Sequence, residues 1–265
     1  MQIDGKRVLI TGGTSGIGLA AAHLLQEKGA RLFVTGRRPD ALAAALDALG
    51  PGARGLAADV ASDAGRAATL EAALAALGGL DVLVNNAGAV RAGRLEETGA
   101  AEIRAMVEVD LLAPILLTRA ALPALRASGD AMVVNVASGI ALVGVPFYAT
   151  YAAVKAGLAH FGEALRRELL GEGVHVLTLY PSATDTPMMR TSRAGPDLGF
   201  VKETAQEVAA ALVAGMEADA LDVRRLSEQR AQMVALNRAD PAALDARFRE
   251  LKPALAAAVK DHSAL

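Results

Sequence analysis

The sequence predicts a doubly wound α/β domain, a parallel sheet held between helices in three α/β/α layers. Three observations predict it. Short apolar runs of strand length alternate with segments of helical length, which implies parallel pairing through right-handed crossovers. Those runs carry few polar residues, as strands do when helices cover both sheet faces. The chemically suggestive residues Gly12, Arg37, Asp59, Asn86, Ser138 and Pro181 lie at or just past the strand ends, where sheets of this kind bind ligands.

Lys6 to Thr11 is too short for a helix and reads as the first buried strand. The glycine-rich Gly12 to Gly18 follows, then a helix over Leu19 to Lys28 that Gly29 closes. Arg31 to Thr35 is the second strand, and Pro39 to Leu49 a helix that opens with proline and stops at Gly50. Arg54 to Ala58 is a weaker third strand, followed by a helix to Leu77 with Ser62 as its N-cap. Leu80 to Val84 is the fourth strand. A long helix covers Ala100 to Leu125, bent or broken by Pro114. Ala131 to Val136 is the fifth strand, Tyr151 to Leu170 a helix, and Val174 to Tyr180 the sixth strand. A helix over Thr204 to Glu217, a short strand over Leu221 to Leu226, and a helical segment over Pro241 to Lys260 that breaks near Pro253 complete the chain.

No repeat, low-complexity tract or linker divides residues 1–265, so one domain is expected. Within it, residues 187–220 read as a substrate lid, starting with the Gly- and Pro-containing stretch from Met188 to Phe200. Residues 240–265 read as a C-terminal helical extension, packed on a neighbouring subunit, over the pocket, or simply on its own domain.

Composition narrows the function. With 53% hydrophobic and 3% aromatic residues, the core must be mostly Ala, Leu and Val. A net charge of -2, without a block of one sign, argues against nucleic acid or an anionic membrane as partner. The absence of Cys rules out disulfides and thiolate chemistry. No apolar run approaches the ~20 residues of a spanning helix, and the opening MQIDGKRVLI has no signal pattern, so a cytoplasmic protein is expected. His23, His160 and His175 lack ligand spacing, and no metal is assigned.

Thr11-Gly12-x-x-x-Gly16-x-Gly18 joins the first strand to the first helix. Glycines there permit a tight turn and let backbone approach a pyrophosphate at the helix N-terminus; the plain alternative is a turn without a ligand. A NAD site usually offers a carboxylate about 20 residues further on. Here Gly36-Arg37-Arg38 follows the second strand, and guanidiniums suit a 2′-phosphate. NADP is therefore favoured over NAD, unless both arginines merely face water. Asp59-Val60 follows the third strand, where the carboxylate either accepts from an adenine amino group or caps the next turn. Asn85-Asn86-Ala87-Gly88 follows the fourth, with room for a ribose beside Ala87 and Gly88. Tyr151 and Lys155 stand four apart, one turn up the same helix face, and Ser138 precedes them at the end of the fifth strand.

Together these residues resemble the short-chain dehydrogenase/reductase family, whose fold is the Rossmann fold. The resemblance covers residues 1–189. Ser15 occupies the position of the second glycine in the extended branch's Thr-Gly-x-x-Gly-x-x-Gly, so the chain is similar to the shorter branch. By position, the resemblance makes Tyr151 the general acid/base, Lys155 the residue that favours its phenolate and binds the nicotinamide ribose, and Ser138 the residue that orients the carbonyl. Hydride would pass directly between substrate carbon and nicotinamide. Cofactor contacts fall on Gly12, Thr14, Ser15, Gly16, Ile17, Gly18, Arg37, Arg38, Asp59, Val60, Asn86, Ala87, Gly88, Tyr151, Lys155, Pro181, Thr184 and Thr186. The resemblance also implies a homodimer or homotetramer built on helices near 100–125 and 152–170.

The chain departs from the family pattern in two places. Asp110, in Val109-Asp110-Leu111, stands where the family usually has an Asn that holds a relay water beside Lys155, largely through its backbone carbonyl. That carbonyl survives, so Asp110 joins the catalytic set, with a charge able to perturb Lys155. Ser182 replaces a glycine in the Pro181-to-Thr186 loop. Ile140, Leu142, Val143, Phe147, Met188 and Met189 suggest an apolar pocket for a ketone or aldehyde, or the corresponding secondary alcohol; ordinary packing explains them equally well. A catalytically silent NADP-binding regulator is the competing expectation.

Overall fold

The computed structural model describes all residues from Met1 to Leu265. Seven strands form its central sheet: β1 (Arg7–Thr11), β2 (Arg31–Gly36), β3 (Ala53–Ala57), β4 (Val82–Asn85), β5 (Ala131–Val136), β6 (Val174–Tyr180) and β7 (Asp222–Arg224). Their spatial order is β7-β6-β5-β4-β1-β2-β3. Every pairing is parallel. The order reverses at β1, and a crevice opens there at the carboxyl ends of β1 and β4.

Alternation along the strands explains the layers. Val8 and Ile10 point to one face, with Val34, Val84 and Val134 beside them. Helices α1 (Gly16–Glu27), α2 (Pro39–Leu49) and α7 (Ala205–Glu217) cover that face through Ala21, Leu25, Leu42, Val208 and Leu212. Leu9, Leu83 and Val133 point the other way. They meet α3 (Asp63–Leu77), α5 (Ala113–Ser128) and α6 (Ala149–Glu168) through Leu77, Leu117, Leu125 and Leu165. Within residues 187–220, Ala205–Glu217 is α7 and packs on the first of these faces through Val208 and Leu212 rather than over the cleft. The stretch before Ala205 holds two 3₁₀ turns, Pro187–Met189 and Pro196–Leu198.

Several boundaries differ from expectation. α1 begins at Gly16, three residues early, because the glycine loop turns directly into the helix. The long helix is not simply bent at Pro114. It runs as α4 (Ala100–Val107), widens into a π-helical turn over Glu108–Leu112, and resumes as α5 with Pro114 in its first turn. Pro114 has no N–H to give the Asp110 carbonyl four residues back. The C-terminal segment does not break at Pro253; α9 (Pro241–Val259) passes through it. Pro253 and Arg249, whose carbonyl loses its partner, are both exposed, so water can replace the missing bond. Helix α8 (Glu228–Ala239) was not expected at all. After α9, Ser263–Ala264 pairs antiparallel with Val90–Arg91. No helix is long and apolar enough to cross a membrane.

Candidate active site

Thr11 ends β1 and ties two strand ends together. Its hydroxyl accepts from the Asn86 and Ala87 amides at 3.0 and 3.1 Å and donates to the Val84 carbonyl. The Asn86 side-chain amide nitrogen donates back to the Thr11 and Gly12 carbonyls at 2.9 and 3.0 Å. The glycine loop is thereby pressed against the Asn86-Ala87-Gly88 loop. A Cβ on Gly12 would lie 2.8 Å from Ala87 Cα, and Gly12 has φ +64°. A Cβ on Gly18 would lie 2.5 Å from the Gly12 carbonyl. The Ser15 hydroxyl makes no capping bond to α1, which leaves the first-turn amides of that helix free for an anion.

One cleft of about 630 Å³ runs across the carboxyl end of the sheet. Gly12, Thr14, Ser15, Gly16, Ile17, Arg37, Arg38, Asp59, Val60, Asn86, Ala87, Gly88, Ser138, Tyr151, Lys155, Pro181, Thr184 and Thr186 all line it. Gly18 packs behind the loop, and Asp110 lies beneath the cleft wall. Arg37 is exposed and makes no ion pair, while Arg38 stands 3.9 Å from Asp40. Asp59 divides its duties: one carboxylate oxygen accepts from the Ala61 amide at 3.0 Å, and the side chain still borders the cleft.

Tyr151 and Lys155 reach the cleft from α6. Lys155 donates to the Val136 carbonyl at 3.1 Å and pairs with Asp110 at 3.0 Å, both side chains buried. The π-helical turn is what carries Asp110 inward, and the Ala89 amide donates to its carboxylate at 3.2 Å. Burial raises the Asp110 carboxyl above its ordinary value, against the pull of Lys155. Burial pulls the Lys155 ammonium down, but Asp110 and Tyr151 outweigh it and the net direction is up. Lys155 Nζ is 5.8 Å from the Tyr151 ring centre. Burial lifts the Tyr151 phenol; Lys155 and the Ser138 hydroxyl draw it down, and Asp110 lifts it again. The net shift is upward. Lys155 thus acts in the expected direction, but in the protein without cofactor desolvation and the Asp110 charge outweigh it.

The remainder of the cleft was not foreseen. Tyr148, Phe200, Arg230 and His262 line it beyond Tyr151. The His262 ring bonds to the Tyr148 hydroxyl at 2.8 Å and to the Met188 carbonyl at 3.1 Å. Burial pulls the His262 imidazole down, so the neutral ring donates through Nε2 to Met188 and accepts at Nδ1 from Tyr148. Of the apolar residues expected here, Ile140, Met188 and Met189 border the cleft. Val143 packs instead with Met233, Val234 and Leu244, with Leu142 beside them, and Phe147 supports the Tyr148 cluster. No grouping of His, Asp and Glu suited to a metal ion is present.

The short-chain dehydrogenase family model matches residues 6–197. The chain belongs to this family. It is 34% identical over 190 residues to the 3-oxoacyl-acyl-carrier-protein reductase FabG of Vibrio cholerae, covering 72% of this chain and 78% of that one. It is 32% identical over 257 residues to the ketoacyl reductase HetN of a Nostoc species, covering 93% and 89%. Among solved structures, it resembles a 3-ketoacyl-acyl-carrier-protein reductase from Brucella melitensis complexed with NADH. That match has TM-score 0.79 and 28% identity over 84% of this chain and 98% of the other. A short chain dehydrogenase from Burkholderia cenocepacia in complex with NADP gives TM-score 0.77 and 31% identity over 85% and 97%. The chain is thus an oxidoreductase with a site for a nicotinamide cofactor.

Proposed function

We propose that this chain is an NADP(H)-dependent reductase of ketones or aldehydes, able to run backwards on secondary alcohols. The convergence of Ser138, Tyr151 and Lys155 on one cleft carries this reading. The free amides opening α1 would hold a pyrophosphate, and Arg37, with no carboxylate partner, suits a 2′-phosphate. The bound nicotinamide supplies or accepts the hydride. Ser138 orients the substrate oxygen, Tyr151 gives or takes its proton, and Lys155 holds positive charge beside the phenol. The names of the FabG and HetN relatives make 3-oxoacyl compounds the first substrates to try.

A silent NADP-binding regulator keeps one observation in its favour, the charge that Asp110 sets against Lys155. Oxidation of NADPH by the purified protein against ketones, aldehydes and 3-oxoacyl esters decides between them. Turnover with NADPH preferred over NADH supports the reductase. NADPH binding without any turnover supports the regulator. We further propose a homodimer or homotetramer in the cytoplasm, checked by light scattering.

A further inference from the structure

Arg230 is 7% exposed, yet no carboxylate pairs with it. One guanidinium nitrogen donates to the Gly199 carbonyl at a long 3.4 Å, and the group lies 5.5 Å from the Phe200 ring centre. No other acceptor meets it. A buried cation without a counter-charge is costly.

Its neighbours do not supply that charge. Tyr148 donates to neutral His262, which in turn donates to Met188, so this couple is uncharged. Met188, Met189 and Ile140 are apolar. Asp59, beyond β3, is the only acidic side chain lining the cleft, and Leu265, which also borders it, makes no ion pair with Arg230. The other cations are otherwise placed: Lys155 faces Asp110, and Arg37 and Arg38 sit past β2. The Tyr151 and Tyr148 ring centres are 6.3 Å apart, and Tyr148 and Phe200 6.1 Å. Arg230 therefore borders the same cleft as the reacting phenol, across two aromatic rings from it.

We propose that Arg230 forms an anion subsite at the substrate end of the cleft, which receives a carboxylate carried by the substrate several bonds from its ketone. The guanidinium fork matches a carboxylate with two parallel hydrogen bonds, and Phe200 and Tyr148 flank the connecting chain. The substrate class is then an oxo acid and the product a hydroxy acid. This rests on the reductase reading and narrows it.

The test is a ladder of oxo acids that moves the carboxylate stepwise away from the ketone, each compared with its methyl ester. We expect one spacing to favour the acid in kcat/KM by roughly 10- to 100-fold, mostly through KM, as one charge-assisted contact would give. Arg230→Gln should erase that preference and Arg230→Lys restore part of it. Comparing acid with ester inside each variant cancels any loss of folded protein. Equal rates for acid and ester at every spacing, or a preference that survives Arg230→Gln, would overturn the subsite while leaving the reductase intact. If no ketone is reduced, calorimetry of saturated straight-chain carboxylates on the NADP-loaded protein still decides. Binding lost in Arg230→Gln supports the subsite; absent binding, or tighter binding of alkyl phosphates, overturns it.

Discussion

The Lys155 ammonium stands 3.0 Å from the Asp110 carboxylate, with both side chains buried. In this family a neutral side chain is the usual neighbour, and here the charge opposes the very effect Lys155 is expected to have on Tyr151. Removing it has a predictable sign. Alcohol oxidation needs the phenolate, so its rate rises with pH up to the phenol's pKa. Asp110 raises that pKa. Asp110→Asn should therefore shift the rising limb of the kcat/KM–pH profile for oxidation to lower pH. An unmoved limb would mean the two side chains do not communicate. Asp110→Ala, which leaves the ammonium buried and short of a partner, should cost about 3–5 kcal/mol of stability in urea titration.

Tyr151→Phe keeps the ring and removes the hydroxyl proposed to carry the proton. Loss of a general acid/base should cost about 10²- to 10⁴-fold in kcat. NADPH affinity, read by quenching or enhancement of its fluorescence, should hardly change. Retained turnover would remove Tyr151 from the chemistry.

Arg37→Ala should weaken NADPH by about 10- to 100-fold, the scale of one charge-assisted contact, and leave NADH nearly untouched. Equal weakening of both cofactors would count against a 2′-phosphate site.

Asp81 is a purely structural counterpart of Asp110. It follows α3 and takes bonds from the Arg7 guanidinium at 2.6 and 2.9 Å and from Ser128 at 2.6 Å. Burial opposes its ionisation, but Arg7 and Ser128 prevail and hold the carboxyl far below the usual carboxylate range. A folded pKa depressed in this way stabilises the fold above the unfolded value, ~3.9, and the benefit drains away as pH falls below it. Asp81→Asn should cost about 1.5–3 kcal/mol at neutral pH. That cost should shrink on acidification, as urea titrations at several pH values would reveal.

Most strands were legible because residues such as Val8, Leu9 and Ile10 form unbroken apolar runs, the mark of burial on both faces. The motif residues were legible because their meaning is local: a glycine where a strand turns into a helix, an asparagine just past a strand end. α8 was missed because only Arg230, Met233 and Val234 of its residues are buried, too few to make a stripe. The π-helical turn that aims Asp110 inward leaves no mark in hydrophobic spacing. Tyr148, Phe200, Arg230 and His262 come from four separate segments. That Arg230 is buried and unpaired emerges only when those segments meet.

The pairing of Ser263–Ala264 with Val90–Arg91 gives the cleft two moments of completion. The glycine loop, β1, β4 and the amides of α1 belong to the first half of the chain and are tied together by bonds among themselves. The wall that carries His262 depends on a pairing between segments far apart in the sequence, the kind of distant contact that forms slowly. A molecule in which that pairing has not formed would keep its glycine loop while lacking a wall at the far end of the cleft. Fraying of that final strand would blunt selectivity before it threatened the fold.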